Sequence, residues 1–293
     1  MHFRTFFYRD YFAPPLKLGK PLTDQEAARN KTIIERRNND LINGQLPQNA
    51  LTLLQHSLPA GNALSQVQVT TTYPGLIIGI GYEHEIQTAE GELKLGFHFD
   101  HTTGLPCIPG SSIKGVLRSF FPQYNNKDPF RIPNETDERK GNKKDFIAAK
   151  LGWQSDQNKA LKVHQLELAL FEGIDLANTQ IKRKTNPDAV EYLNIYKRCC
   201  FYNAYISRAA ADNKIFELDT ITPHTEGPLK NPKPLNFLKI RPGVTFTIPM
   251  QLQKIVLPDN SEITATQLKP LFKAIITLNG LGAKTNTGYG QFA

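Results

Sequence analysis

The stretch Leu93–Phe121 restricts this chain to a small set of folds. From Leu93 to Asp100, Leu93, Leu95, Phe97 and Phe99 alternate with Lys94, Gly96, His98 and Asp100. A period of two predicts a strand with one buried face and one polar face. Pro106, Pro109 and Gly110 break it. Beyond them, Ile113, Val116, Leu117 and Phe120 recur at i, i+3, i+4 and i+7, the stripe of a helix packed on a core. Ser111 or Ser112 is placed to cap that helix. Ser111, Lys114 and Arg118 fall on its opposite face. Two cations one turn apart, behind a helix N-terminus with free N–H groups, suit an anion such as a phosphate.

The other end of the chain carries a related pattern. Leu268, Leu271, Ala274, Ile275 and Leu278 share one helical face, and Gly280–Gly290 follows with four glycines in eleven positions. Glycine permits positive φ and close approach of one backbone to another. Gly282, Lys284, Thr285, Asn286, Thr287, Gly288 and Tyr289 supply N–H, ammonium, hydroxyl, amide and aromatic groups, with no carboxylate among them. The loop is neither a Walker A loop nor a dinucleotide fingerprint, which must follow a strand and open a helix.

Between these ends the chain reads as alternating helices and strands. Phe3, Phe6, Phe7, Tyr8, Tyr11 and Phe12 crowd an irregular N-terminal stretch, too many to leave in water. Thr23 and Glu26 form a capping-box pattern for a polar helix to about Asn39, and 48–57 suits a second short helix. Strands are expected at 66–73, 76–82, 197–206, 214–221 and 244–256, and helical pieces within 145–170 and 264–278. Pro270 must kink the last helix or mark a later start. Residues 123–144 are polar and proline-containing, and 173–190 hold Lys182, Arg183 and Lys184, so both read as flexible insertions. Runs of period-two strands with helices to one side give an α+β fold with an antiparallel sheet. The domain reading is an N-terminal, partly helical extension over 1–63 and one domain over 64–293.

Composition narrows function modestly. Lys+Arg 35 against Asp+Glu 27 leaves +8, which favours a polyanionic partner over an acidic or neutral one. Cys107, Cys199 and Cys200 form no disulfide framework and no metal spacing, which suits a reducing cytoplasm. No apolar run reaches membrane-spanning length, so no membrane partner is expected. His98, Asp100 and His101 are the most enzyme-like cluster. Strand alternation explains the spacing of the first two without chemistry, and His98 is read as structural or ligand-contacting. His224, in a proline-rich loop, bonds the backbone or touches a ligand.

Taken together, the segments are similar to a known family. IPGSSIKGVLR after a strand and the terminal GLGAKTNTGYGQF loop resemble the RAMP superfamily of CRISPR-associated RNA-binding proteins. Leu76–Gly81 resembles its early LVVGLG strand, and Arg198–Tyr205 its FFDAYP strand. Leu218–His224 and Asn231–Leu238 resemble its D-x-(M/I)-x-P-H … NPxPxxFL block. Asn203 stands where the family often has aspartate. The resemblance spans about 65–293 and follows the order of a RAMP subunit of the Cmr, or type III-B, effector complex of antiviral defence. It implies an RRM-like, ferredoxin-like domain with large insertions and an N-terminal helical extension. It also implies binding of guide RNA in its 3′ part, and of target RNA in some arrangements. The expected protein neighbours are other RAMP subunits and the small helical subunit. Ser111, Ser112, Lys114, Arg118, the loop residues, His98 and His224 would contact RNA, without cofactor, metal or catalysis. Two rivals stay open: a guide-processing endoribonuclease using His98 or His101, and a purely architectural subunit.

Overall fold

The alternation read along Leu93–Asp100 appears as burial at Leu93 and Phe97–Asp100. A computed structural model describes residues 2–17, 21–47, 64–79, 91–93, 97–124, 128–131, 137–221 and 234–293. Within them Leu93, Phe97 and Phe99 are buried while His98 and Asp100 are half-buried. Pairing is by isolated bridges, Phe99 with Pro106 and Leu93 with Asn236. Leu95, the second short helix at 48–57 and His224 lie outside the described residues.

The main sheet is antiparallel, in the order β1 (Leu64–Thr70), β7 (Thr245–Gln251), β4 (Ala204–Arg208), β2 (Cys107–Ile108), with β3 (Cys200–Phe201) also on β7. Val67 faces Ile248 and Val69 faces Phe246, so the buried positions of β1 and β7 coincide across the ladder. A separate antiparallel pair joins β5 (Phe216–Ile221) to β6 (Leu235–Ile240), and a short one joins β8 (Ile255–Val256) to β9 (Glu262–Ile263). The long strand expected over 244–256 is therefore two, parted near Leu252–Lys254.

Seven α-helices occur among the described residues. They are α1 (Phe3–Tyr8), α2 (Asp24–Ile42), α3 (Gly110–Ser119), α4 (Glu138–Lys150), α5 (Lys159–Glu167), α6 (Leu176–Lys182) and α7 (Ala265–Asn279). The expected capping boxes are present, Thr23 with Glu26 at α2 and Thr264 with Gln267 at α7. Pro270 lies inside α7 at an exposed position. The buried face of α7 is Leu268, Leu271, Phe272, Ile275 and Ile276, rotated from the expected one, and Leu278 is left in water. Helix α7 packs on β1 and on α3, and α3 also packs on β3.

The insertions hold more structure than their polarity implies. Glu138–Lys144 belongs to α4, whose charged residues are the wet side of a helix buried at Ile147 and Ala148. The segment after Gly173 contains α6, capped by the Asp175 carboxylate accepting from Asn178 N–H at 3.0 Å. The N-terminal aromatic stretch is also ordered. Phe3, Phe7 and Tyr11 are wholly buried, with Phe3 against Phe216 at 5.0 Å and Phe7 against Phe99 at 5.6 Å between ring centres. Buried Arg37 of α2 donates to the Tyr11 carbonyl at 2.5 Å and the Ala13 carbonyl at 2.8 Å, so its charge is satisfied by carbonyl dipoles.

Glycine governs the last connection. Gly290 has φ +70°, and an added Cβ would overlap the Leu281 carbonyl oxygen. Gly290→Ala is expected to cost about 2 kcal/mol or more, from left-handed backbone and overlap together. Gly115→Ala, in α3 with nothing within 4 Å of the new methyl, is expected to stabilise by about 0.5–1 kcal/mol. Urea denaturation of both variants checks this; equal midpoints would disprove the close approach at Gly290.

Candidate nucleic-acid interface

The two segments singled out by their chemistry are connected through a relay of backbone hydrogen bonds. Ala283 N–H donates to the Ile77 carbonyl at 2.9 Å, and His98 N–H to the adjacent Ile78 carbonyl at 2.9 Å. Cys107 N–H donates to the His98 carbonyl at 3.3 Å. Gly110, three residues on, opens α3. The glycine loop, His98 and Cys107, three residues before α3, are thus linked by three pairing steps, each about 5 Å.

Helix α3 begins one residue before the serines. Pro109 is its N-cap, extended at φ −58° and ψ 137°, and neither Ser111 nor Ser112 caps it. Both are exposed in the first turn. The Asn203 side-chain oxygen instead accepts from Gly110 N–H at 2.9 Å. A bulge aims that side chain. Between the pairs Phe201–Met250 and Tyr205–Thr247 the first strand has one residue too many, and the excess falls at Tyr202–Asn203. Gly110 is needed because an added Cβ would overlap the Phe201 carbonyl oxygen. The one sequence signal for this contact is that an amide stands where the family often has aspartate. A neutral acceptor leaves the positive end of the helix uncancelled.

The cations divide into engaged and free. Arg118, expected beside Lys114 as a phosphate ligand, is ion-paired with Glu172 at the far end of α3. Lys114 is half-buried and has no hydrogen-bond or ion-pair partner among the described residues. In the basic segment Lys182 pairs with Glu191 at 2.7 Å and Arg183 with Asp128 at 2.6 Å, its guanidinium lying over the Phe130 ring. Lys184 alone of that trio stays unpaired among the described residues.

The glycine loop projects its donors outward. Gly282, Lys284, Asn286 and Thr287 are exposed, and Thr285 and Gly288 half-buried. Thr285–Thr287 form one 3-10 turn between Lys284 and Gly288, both left-handed. Tyr289 turns inward and no regular final strand follows it, only the bridge of Thr71 to Phe292. Its hydroxyl donates to the Asp219 carboxylate at 2.7 Å, and its ring meets Phe237 edge-on at 6.0 Å. Asp219 also accepts from buried Lys239 at 2.7 Å. Burial works to raise the Asp219 carboxyl, but bonds from Lys239, Tyr289 and Thr220 N–H together hold it below its usual value. Burial and the Asp219 charge push the Tyr289 phenol up to about 12.

In the histidine cluster the carboxylate is engaged in a turn. Asp100 accepts from Thr102 N–H at 3.0 Å, Thr103 N–H at 2.8 Å and the Thr103 hydroxyl at 2.9 Å. Its carboxylate closes the turn after His98 and is not directed at a histidine. Burial lowers the His98 imidazole pKa, outweighing the opposing pull of Asp100, so the ring is neutral near pH 7.

Comparison with known proteins agrees with this architecture. The sequence matches the model of the RAMP superfamily over residues 68–293, more than half of the chain. No curated protein is significantly similar in sequence. Among solved structures, the chain is similar to a component of a type III-B Cmr-beta complex bound to cognate target RNA. The two are 20% identical with a TM-score of 0.50, over 98% of this chain and 83% of that one. A chain of a type III-A Csm–crRNA–target RNA ternary complex is 15% identical with a TM-score of 0.24, over 75% of this chain and 54% of the other.

The Tyr289–Asp219 bond makes a pH-dependent prediction. Asp219 titrates lower when folded than unfolded, so its contribution is present above the unfolded pKa and is lost as pH falls through the folded one. Tyr289→Phe is expected to lower stability by about 1 kcal/mol near pH 7, and the gap from wild type should shrink in acid. Paired denaturation curves across pH test this. A gap that grows in acid would show that the hydroxyl does not serve the carboxylate. With sheet, helices and glycine loop arranged as described and the family match covering most of the sequence, the chain belongs to the RAMP superfamily.

Proposed function

We propose that this protein is a non-catalytic RNA-binding subunit of a type III-B CRISPR ribonucleoprotein, in the role of RAMP subunit six. It holds the 3′ part of the guide RNA and abuts other RAMP subunits and the small helical subunit, in the cytoplasm. The observation that carries the reading is the outward donor set Gly282–Gly288, free of carboxylate, joined by three backbone pairing steps to Cys107, three residues before the neutral-capped N-terminus of α3. Phosphate contacts of this kind hold a strand without reading its sequence. The likeness to a chain from an RNA-bound type III-B complex agrees with this.

A second surface suits a protein neighbour. A cavity of about 400 Å³ lies among Ile174, Leu176, Leu193, Cys199, Ile255 and Val256. Val256 of its lining stands exposed, as do Ile181, Tyr192, Ile195 and Tyr196 in the chain segment that supplies Leu176 and Leu193. Exposed large apolar side chains concentrated in one segment suit a protein neighbour where they form a contiguous patch. Among the described residues, no helix is long and apolar enough to cross a membrane.

The RNA reading is tested by salt dependence. Lys114→Ala with Lys284→Ala should weaken binding of single-stranded RNA equally across sequences and flatten the log–log salt slope by about 0.7 per lost contact. Arg118→Ala should leave the slope alone and lower stability, because it strands Glu172. The reading fails if the double variant keeps the wild-type slope.

The non-catalytic reading is tested separately. General acid–base catalysis contributes about 10²–10⁴-fold. His98→Ala, His101→Ala and His224→Ala should each leave single-turnover RNA cleavage by the assembled complex within a few-fold of wild type. A loss of about a hundredfold in any of them, with assembly intact and RNA bound, would favour the endoribonuclease.

A further inference from the structure

One aromatic side chain beside the glycine loop is left in water. Thr72–Gly75 form a tight turn, with Gly75 N–H donating to the Thr72 carbonyl at 2.8 Å. Tyr73, in its middle, is 85% exposed. Its hydroxyl has no hydrogen-bond partner among the described residues. The N-terminal rings Phe3, Phe7 and Tyr11, by contrast, are wholly buried.

The turn that carries Tyr73 is fixed at both ends. Thr72 N–H donates to the Gln291 carbonyl at 3.0 Å, and the Gly75 carbonyl accepts from Gly290 N–H at 2.7 Å. Leu76 and Ile240 exchange two bonds, at 2.9 and 2.8 Å, directly after it. Pro74 reaches Gly288, where an added Cβ would stand 3.6 Å from the proline Cδ. The exposed ring is therefore held on a rigid turn against the loop that presents Lys284, Asn286 and Thr287.

That juxtaposition has a definite chemistry. Donors and an ammonium hold the charged backbone of a single strand, and an aromatic face beside them takes a base. Tyrosine suits the second task because two side-chain torsions are all that stacking must fix. Stacking accepts every base, since each presents a π-face.

We infer that Tyr73 is a nucleobase-stacking platform for single-stranded RNA whose phosphates are held by the Gly282–Gly288 loop. The inference rests on the RNA-binding reading above. It adds a term that salt does not screen, because stacking releases no counterions.

The test is fluorescence anisotropy with the full-length protein and two probes. One is a short labelled single-stranded RNA of mixed sequence; the other is an abasic sugar-phosphate strand of equal length. Tyr73→Ala should weaken binding of the RNA by about tenfold or more, with the salt slope unchanged. Tyr73→Phe and Tyr73→Trp should keep wild-type affinity. On the abasic strand Tyr73→Ala and wild type should bind alike, and the thermal midpoint should not move. The platform is overturned if Tyr73→Ala binds RNA as wild type does, including the case in which it only impairs assembly with a protein neighbour. It is equally overturned if the loss is as large on the abasic strand. If wild type binds neither probe while Lys114→Ala and Lys284→Ala also change nothing, the RNA-binding reading itself falls, and the platform with it.

Discussion

Backbone lying directly on backbone, with no side chain between, is the constraint from which the candidate interface follows. Gly290 sits on the Leu281 carbonyl, Gly282 on the Ile77 carbonyl and Gly110 on the Phe201 carbonyl, each at a position where a Cβ would overlap the oxygen. The first two fold the loop after α7 onto the Leu76–Ile78 segment. The third brings the start of α3 under the bulge at Tyr202–Asn203. Such contacts cost conformational entropy in the unfolded chain, about 0.5–1 kcal/mol per glycine relative to alanine. In return, amide groups and exposed loop side chains are held by the sheet rather than by flexible side chains, which is what recognition of an extended anion requires.

The charge pattern follows from that framework. Net charge of +8 suggests an undifferentiated basic surface, yet many cations have internal duties. Arg118 holds Glu172, Arg183 holds Asp128, Arg241 holds Asp212, and Lys162 lies between Asp156 and Asp259. Lys239 is buried and paired with Asp219, which in turn fixes Tyr289. Lys114, Lys184 and Lys284 lack partners among the described residues, and Lys114 and Lys284 belong to the two segments that the backbone relay joins. For the proposed binding, the placement of a few unpaired cations beside fixed donors counts more than the total charge.

Much of this was legible in the sequence, for identifiable reasons. Hydrophobic periodicity located α3 and α7, and side-chain chemistry located both capping boxes, because these signals are local. What failed was non-local. The cap of α3 comes from Asn203, far along the chain, and depends on a bulge that no periodicity reports. The pairing of Arg118 with Glu172 needs a helix-to-helix approach that a single-helix projection cannot contain. The face of α7 was misjudged because Phe272 and Ile276 bury in place of Ala274 and Leu278, a choice made by β1 and α3. Polarity misled at Glu138–Lys144, since a helix that buries only Ile147 and Ala148 looks like a loop until its partner is known.

The N-terminal residues show the same dependence from the opposite direction. The family match begins at residue 68, yet the hydrophobic core does not. Phe3 and Phe7 pack on Phe97, Phe99 and Phe216, and Tyr11 bonds Asn38 at 2.6 Å while accepting from Leu93 N–H at 3.3 Å. The backbone joins in, with Arg4 N–H donating to the Gly104 carbonyl at 3.2 Å, inside the turn that Asp100 closes. Tyr8 bonds Phe97 through both its carbonyl and its N–H, and Phe97 precedes His98 in the relay to the glycine loop. The aromatic stretch therefore braces the His98–Cys107 turn from behind, on the face away from the polar edge of the strand. Each wholly buried ring contributes about 1.5–3 kcal/mol by leaving water. That contribution bears on the segment which carries the relay, so the geometry of the candidate interface is set partly by residues that lie outside the family's own boundaries.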